Sequence, residues 1–203
     1  LEFKYSDLPF YFLKFWFEDI YNKPLDLIAK ERIFNKLKLK KTMFNPYRHL
    51  SLSEIVPSEE DDFFRYSKLH GYVHDEGAAM LGGISGHAGL FSNSYEVAII
   101  LQTMIQGGSY DNEKIFEPES FEIFNTCYYC EFDNRSGVGF DKPQIEGKHG
   151  STFGGVSKNS FGHYGYTGSM AWADPDEEII FVFLSNRTFP TRENTLLQTS
   201  NIR

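Results

Sequence analysis

The chain has 203 residues and a formal net charge of −8. This acidic balance argues against a nucleic acid or an anionic membrane as a partner, because neither is attracted to a negative surface. No apolar stretch is as long as a membrane-spanning helix requires, and the length suits one large domain or two small lobes.

The N-terminal region predicts two helices. Asp7 is placed to cap the first, which extends over residues 8–21. Apolar side chains at three- and four-residue spacing define its expected core face, which consists of Phe10, Leu13, Phe17 and Ile20. An Asn-Lys-Pro sequence at residues 22–24 ends this helix, and a second helix is predicted over residues 25–37.

The next region is expected to be irregular. Residues 43–57 predict a loop, and the acidic stretch at residues 58–62 favours an exposed turn. Residues 71–92 are too rich in glycine for a long regular helix, so a path of turns around a short helix is expected.

Few residues suggest a metal or redox site. His70 and His74 have the spacing of two ligands on one helix face, but a glycine interrupts such a helix and no third ligand has a matching spacing. His87, between glycines, either lines a cleft or bonds a loop carbonyl, and we favour the carbonyl. Cys127 and Cys130 are expected to be free thiols at a helix end, without a second cysteine pair. We therefore predict no metal and no cofactor.

The second half of the chain predicts helices followed by an antiparallel hairpin. Ser92 or Ser94 is placed to cap a helix whose apolar residues run from Val97 to Ile105 and which the glycine pair at 107–108 closes. Pro118 lies in the first turn of another helix. Residues 161–173 predict one strand. A turn at residues 174–177 follows.

The last strand is predicted over residues 179–184, whose continuous apolar run indicates a buried central position. Residues 190–203 begin a helix. Helices before an antiparallel hairpin favour an α+β fold. We expect one domain, with residues 1–135 as a mainly helical lobe and residues 136–203 carrying the strands.

Two short motifs resemble a known hydrolase family. His163-Tyr164-Gly165, within a glycine-spaced strand, is similar to the third motif of the serine β-lactamases and penicillin-binding-like hydrolases, a Lys or His followed by any residue and Gly. Tyr5-Ser6-Asp7 resembles their second motif, Tyr-x-Asn, with Asp in place of Asn. The resemblance covers nearly the whole chain. It is closest to the β-lactamase-like module fused to bacterial family-three β-N-acetylglucosaminidases.

The resemblance implies a role for each matching residue. Tyr5 is expected to assist proton transfer and Asp7 to orient it, with His163 as a further catalytic residue. The same strand, through Tyr164, Gly165 and Tyr166, is expected to hold the substrate along its edge. Backbone N–H groups near Gly165 and Tyr166 are expected to meet the oxyanion.

The resemblance also identifies a missing motif. No serine in the chain is followed three residues later by lysine, so the Ser-x-x-Lys nucleophile of this family is absent from these 203 residues. The family places that motif upstream of the Tyr motif. We therefore expect a fragment with a fold incomplete at both ends, inactive alone, whose partner is the missing N-terminal segment or a second copy of the chain.

Two functions remain open at this point. One is the C-terminal part of an acyl-serine hydrolase that acts on a cell-wall peptide, a β-lactam or an ester in the periplasm or cell envelope. The other is a non-catalytic accessory module that binds peptidoglycan or supports a glycoside hydrolase.

Overall fold

A computed structural model describes residues 4–132, 134–143 and 155–200 of the chain. Short helices alternate with small antiparallel sheets, which confirms the predicted α+β class. The helices are α1 (Leu8–Tyr21), α2 (Leu25–Ala29), α3 (Glu76–Met80), α4 (Ser94–Ile105), α5 (Pro118–Asn125) and α6 (Leu196–Thr199). The strands are β1 (Met43–Phe44), β2 (Pro57–Asp61), β3 (Ser67–His70), β4 (Leu90–Phe91), β5 (Ser109–Tyr110), β6 (Glu113–Lys114), β7 (Phe161–Tyr164), β8 (Met170–Asp174) and β9 (Ile179–Phe183).

Two compact units divide the chain. The first unit takes its described residues from 1–5, 94–165 and 169–184, and the second unit from 6–93, 166–168 and 185–203. The predicted boundary at residue 135, between a mainly helical lobe and the region that carries the strands, stays a prediction. No helix in the described ranges is both long enough and apolar enough to cross a bilayer.

The first unit is built on one antiparallel sheet in the order β7-β8-β9. Helix α4 packs against β8 and β9, and the buried Leu101 of this helix meets Phe161 and Ala173 of the sheet. Phe121 and Phe140 surround Phe161 at ring-centroid distances of 4.9 and 5.2 Å. These edge-to-face contacts fix the first residue of β7, and hence the strand that carries His163.

The structure corrects the predicted hairpin. Residues 161–173 are two strands rather than one, because the chain turns at residues 165–169, where the Gly165 N–H bonds the Ser169 carbonyl at 2.8 Å. Gly168 has a φ of +96°, which a residue with a side chain rarely adopts. The prediction failed because aromatic residues flank this turn and resemble a continuous strand.

The prediction of a buried central strand at residues 179–184 is also wrong. Strand β8 lies in the middle of the described sheet, and β9 pairs only with β8. Ile179 and Phe181 of β9 are 57% and 52% exposed. The continuous apolar run of β9 was therefore misleading, because the described residues do not cover both faces of this strand.

Lys142 is a buried cation in the first unit. It is 5% exposed, and its ammonium donates to Asn125 Oδ1 at 2.6 Å and to the Asn159 carbonyl at 3.2 Å. Burial lowers the pKa of Lys142 to about 8, although the charges of Asp174 and Asp176 act to raise it. Folding therefore favours release of this proton.

We expect the free energy of unfolding to rise as the pH increases from about 8 towards the unfolded-state pKa of lysine, about 10.4. In this window the unfolded chain holds the Lys142 proton and the folded chain has released it, so a higher pH penalises the unfolded state more. Urea unfolding at pH 7.5, 8.5 and 9.5 measures the rise. Lys142→Met keeps the side-chain length and removes the titration, and an unchanged slope in this variant would refute the assignment.

The second unit contains the N-terminal helices and two small sheets, β1-β4 and β2-β3. The predicted apolar face of α1 is wrong. Its buried residue is Lys14, paired with Glu18 at 2.6 Å, whereas Leu13, Phe17 and Ile20 are 37%, 37% and 54% exposed. Apolar residues occupy nearly every position of this helix, so their spacing does not distinguish one face from another.

The acidic stretch predicted as an exposed turn is instead strand β2. Glu59 and Asp61 are only 2% and 3% exposed. Arg192 donates to both oxygens of Glu59 at 2.7 and 2.8 Å and also to Glu76 at 2.8 Å, and Arg65 donates to Asp61 at 2.8 Å. Burial of these carboxylates is offset by arginine partners, of which Arg192 is 133 residues from Glu59 and Arg65 is four residues from Asp61.

The cysteine pair is also different from the prediction. Cys127 and Cys130 form a disulfide across a short turn, so they are not free thiols.

Candidate functional site

Tyr5 and His163 lie beside each other in the first unit. Their ring centroids are 6.5 Å apart, with an angle of 39° between the ring planes. Both side chains are exposed, and Tyr5 is 65% accessible to solvent. Residues 158 positions apart in the sequence thus present a phenol and an imidazole to the same solvent-facing region.

The hydrogen bond of His163 fixes the protonation pattern of its ring. Nδ1 lies 2.7 Å from the Tyr164 carbonyl oxygen, and because a carbonyl can only accept, Nδ1 carries the hydrogen. In the neutral imidazole, Nε2 is then without a hydrogen and is the ring atom that can take up a proton. The strand therefore holds His163 as a potential base or, once protonated, as a cation.

The residues after His163 have different environments within the first unit. The Tyr164 ring packs on Trp172 at a centroid distance of 6.2 Å, so part of this side chain is occupied by packing. The Gly165 N–H donates to the Ser169 carbonyl at 2.8 Å. The Gly165 N–H is therefore occupied in this conformation, and the expectation of an oxyanion donor near Gly165 and Tyr166 stays a prediction.

Tyr166 belongs to the second unit and is 59% exposed. One neighbour is the His74 ring, at a centroid distance of 5.2 Å, and the other is the Arg187 guanidinium, 4.7 Å from the Tyr166 centroid. Burial lowers the pKa of His74, although the charge of Glu59 acts to raise it. His74 and Arg187 thus pack against the exposed ring of Tyr166. Short sequence motifs do not reveal such an arrangement.

Asp7 also belongs to the second unit, at the start of α1. The helix begins directly after it, as predicted, but the Asp7 carboxylate makes no capping hydrogen bond. Ser6 Oγ instead accepts the Leu8 N–H at 3.3 Å. The Asp7 carboxylate is therefore available for other interactions.

His87 was predicted to bond a loop carbonyl, and this is wrong. Its Nε2 lies 2.8 Å from Asp75 Oδ1 and its Nδ1 lies 2.9 Å from Ser85 Oγ. The Tyr11 ring meets the His87 ring edge-on at 4.6 Å. Ser85 is two residues upstream, but Asp75 is twelve residues upstream and Tyr11 belongs to α1, so only the folded chain reveals these two partners.

Solved structures define the class of fold. A penicillin-binding protein homolog from Caulobacter crescentus matches with a TM-score of 0.55 at 19% identity, over 85% of this chain and 49% of that chain. A β-lactamase from Mycobacterium bovis matches with a TM-score of 0.58 at 14% identity, over 96% of this chain and 63% of that chain. The fold is the β-lactamase/transpeptidase-like fold, as predicted.

The chain belongs to the Beta-lactamase family, whose sequence model matches residues 1–200. A relative from Escherichia coli K12, provisionally named D-alanyl-D-alanine carboxypeptidase, is 34% identical over 198 residues, covering 90% of this chain and 44% of the relative. A Salmonella enteritidis protein of the same name is 33% identical, covering 90% of this chain and 45% of the relative. The chain thus spans less than half the length of these curated relatives.

Proposed function

We propose that the chain is the C-terminal part of a serine hydrolase that cleaves a D-alanyl peptide of the cell wall through an acyl-serine intermediate. The observation that carries the proposal is the placement of the Tyr5 phenol beside the His163 imidazole in a chain of this family. The names of its carboxypeptidase relatives favour a cell-wall peptide over a β-lactam or a simple ester. Such a substrate lies in the cell envelope.

Each residue has a distinct part in the proposed reaction. The serine hydroxyl of a Ser-x-x-Lys segment attacks the peptide carbonyl and passes its proton to the Tyr5 oxygen. Tyr5 then gives this proton to the departing amine as the C–N bond breaks, and water later hydrolyses the acyl-serine ester. Tyr5 must be a phenolate to accept this proton, and because an ordinary phenol has a pKa near 10, a nearby positive charge has to stabilise that form. The lysine of the nucleophile motif supplies this charge, and the His163 imidazole lies beside the Tyr5 ring.

The oxyanion that forms during attack needs backbone donors. The Gly165 N–H is already bonded to Ser169, so the N–H of Tyr166 is the proposed donor from this part of the chain. Tyr164, at the end of β7, is a proposed substrate contact, and Tyr166 stays a proposed substrate-binding residue. Asp7 would bias the orientation of the Tyr5 segment through its charge.

The second candidate is a non-catalytic accessory module that binds peptidoglycan or supports a glycoside hydrolase. The absence of Ser-x-x-Lys from the 203 residues favours it. The two candidates differ in whether a longer form of the protein carries that motif and acylates.

For the 203-residue chain alone, we expect no covalent adduct with a fluorescent penicillin or an activated ester. The covalent bond in this chemistry forms on a serine activated by the lysine one helical turn away, and no such pair is present. Mass spectrometry of the intact chain after incubation measures the adduct. A longer form with Ser-x-x-Lys should gain one mass increment per molecule, and its Ser→Ala variant should gain none.

Two results would overturn parts of this proposal. A stoichiometric adduct on any serine of the 203-residue chain would contradict its inactivity. A longer form that carries Ser-x-x-Lys and still resists acylation by every probe would favour the accessory module.

A further inference from the structure

A cluster of potential metal ligands lies in the second unit and shares one residue, Asp7, with the residues proposed for acyl transfer. One ligand atom each from Asp7, Asp75 and His87 lies within 4.8 Å of the other two. Asp7 comes from the start of α1, Asp75 from the start of α3, and His87 from the glycine-rich loop that follows α3. All three residues are partly buried. Three separate segments thus converge on a space the size of one coordination sphere.

The cluster carries more negative charge than its own hydrogen bonds neutralise. Asp75 Oδ1 accepts the Ala78 N–H at 2.7 Å and contacts His87 at 2.8 Å, whereas the Asp7 carboxylate has no capping hydrogen bond. Two carboxylates held this close repel each other unless a cation lies between them. The local field therefore favours a positive charge.

The imidazole already has the outer hydrogen bond that a metal-bound histidine requires. Ser85 Oγ lies 2.9 Å from Nδ1 and is buried, with the serine 3% exposed. When Nε2 binds a metal, Nδ1 carries the hydrogen and donates it to an acceptor, which here is the Ser85 oxygen. The serine thus holds the ring with Nε2 directed at Asp75.

We propose that Asp7, Asp75 and His87 bind one divalent transition-metal ion, with zinc as the preferred ion. One imidazole nitrogen and two carboxylate oxygens form a donor set that suits zinc and cobalt better than the oxygen-only sites of calcium and magnesium. Three protein ligands leave the fourth position to water, as in open zinc sites. The ion would tie the start of α1, which directly follows the Tyr5 motif, to α3 and the loop of His87.

The test uses the full 203-residue chain without a histidine tag, freed of metal by a chelator. Isothermal titration with zinc chloride at pH 7.5 should give one saturable site, and cobalt should give visible absorption bands typical of a nitrogen–oxygen site. Asp7→Asn and His87→Gln should each weaken zinc binding at least about 10-fold. Asp7→Asn is the safer variant for folding, because that carboxylate does not cap its helix.

Matched variants separate this site from other histidines. His49→Gln changes an exposed histidine outside the cluster and should leave zinc affinity unchanged. Ser85→Ala removes only the outer hydrogen bond, and we expect about 10- to 100-fold weaker binding. Circular dichroism confirms that each variant keeps its helices.

Three outcomes would overturn the proposal: no saturable zinc binding up to millimolar concentration, binding that survives both Asp7→Asn and His87→Gln, or binding lost in His49→Gln. The first outcome would mean that the hydrogen bonds of Asp75 and His87 are sufficient to hold the cluster together without a metal ion. Zinc binding is measured without any turnover, so its failure leaves the acyl-serine function untouched, and an inactive hydrolase leaves the metal site untouched.

Discussion

In a longer form that carries Ser-x-x-Lys, Tyr5→Phe is expected to slow acylation by a cell-wall peptide or a β-lactam about 10²- to 10⁴-fold, the usual contribution of a positioned acid–base group. The substitution removes one hydroxyl and keeps the ring next to His163. Because Tyr5 is 65% exposed, the melting temperature should change little. Stopped-flow acylation and thermal unfolding measure the two quantities on the same sample.

A tyrosine outside the site provides the control for Tyr5. Tyr66 is 77% exposed and lies between β2 and β3, so Tyr66→Phe should leave acylation unchanged. His163→Ala should slow acylation without unfolding the chain, because this side chain is also exposed. If Tyr5→Phe acylates at the rate of Tyr66→Phe, the phenol does not relay the proton. A large loss of thermal stability in His163→Ala would instead indicate that the imidazole serves packing.

Arg192→Ala is expected to lower the free energy of unfolding by about 3–5 kcal/mol, the range measured when one partner of a buried ion pair is removed. Glu59 is 2% exposed and receives two hydrogen bonds from the Arg192 guanidinium. Burial acts to raise the pKa of Glu59, but the Arg192 hydrogen bond and the charge of His74 together hold it below its ordinary value. Without Arg192 the carboxylate is buried with its main partner gone. Urea unfolding at pH 7.5 measures the loss.

Two further variants define what the Arg192 result means. Lys23→Ala breaks the pair of Lys23 with Glu31, whose side chains are 48% and 53% exposed, and should cost about 0–1 kcal/mol. The double variant Glu59→Leu with Arg192→Met removes both charges and should recover most of the stability lost in Arg192→Ala. If Arg192→Ala loses no more stability than Lys23→Ala, the Glu59 pair does not stabilise the second unit.

The sequence predicted helices most accurately where the residues that determine a helix lie within a few positions of it. Helix α4 (Ser94–Ile105) contains the apolar residues from Val97 to Ile105 that predicted it, because their spacing and the following glycines act within a few residues of one another. Gly107 and Gly108 have φ values of +67° and +90° and donate to carbonyls in the last turn of the helix. Pro118 likewise begins α5, as its fixed φ favours.

Several of the predictions that failed depended on distant parts of the chain. Nothing near Glu59 indicates that Arg192, 133 residues later, will bury it. His87 similarly appeared to be a loop residue, because Asp75 and Ser85 become its partners only after the glycine-rich segment folds. The Tyr5 and His163 roles came from a family resemblance, and spacing alone could not place the two rings together. These contacts depend on tertiary structure, which composition and periodicity do not encode locally.

The contact of Tyr11 with α3 limits which sequences this family member can explore. A Cβ atom on Gly77 would lie 2.1 Å from the Tyr11 hydroxyl oxygen, although the backbone of Gly77 has no positive φ that would itself require glycine. Alanine at position 77 would therefore require the Tyr11 side chain to shift, although the helix itself would prefer alanine. In evolutionary terms the two positions should covary, because phenylalanine at position 11 removes the oxygen atom that would lie nearest to an alanine Cβ at position 77.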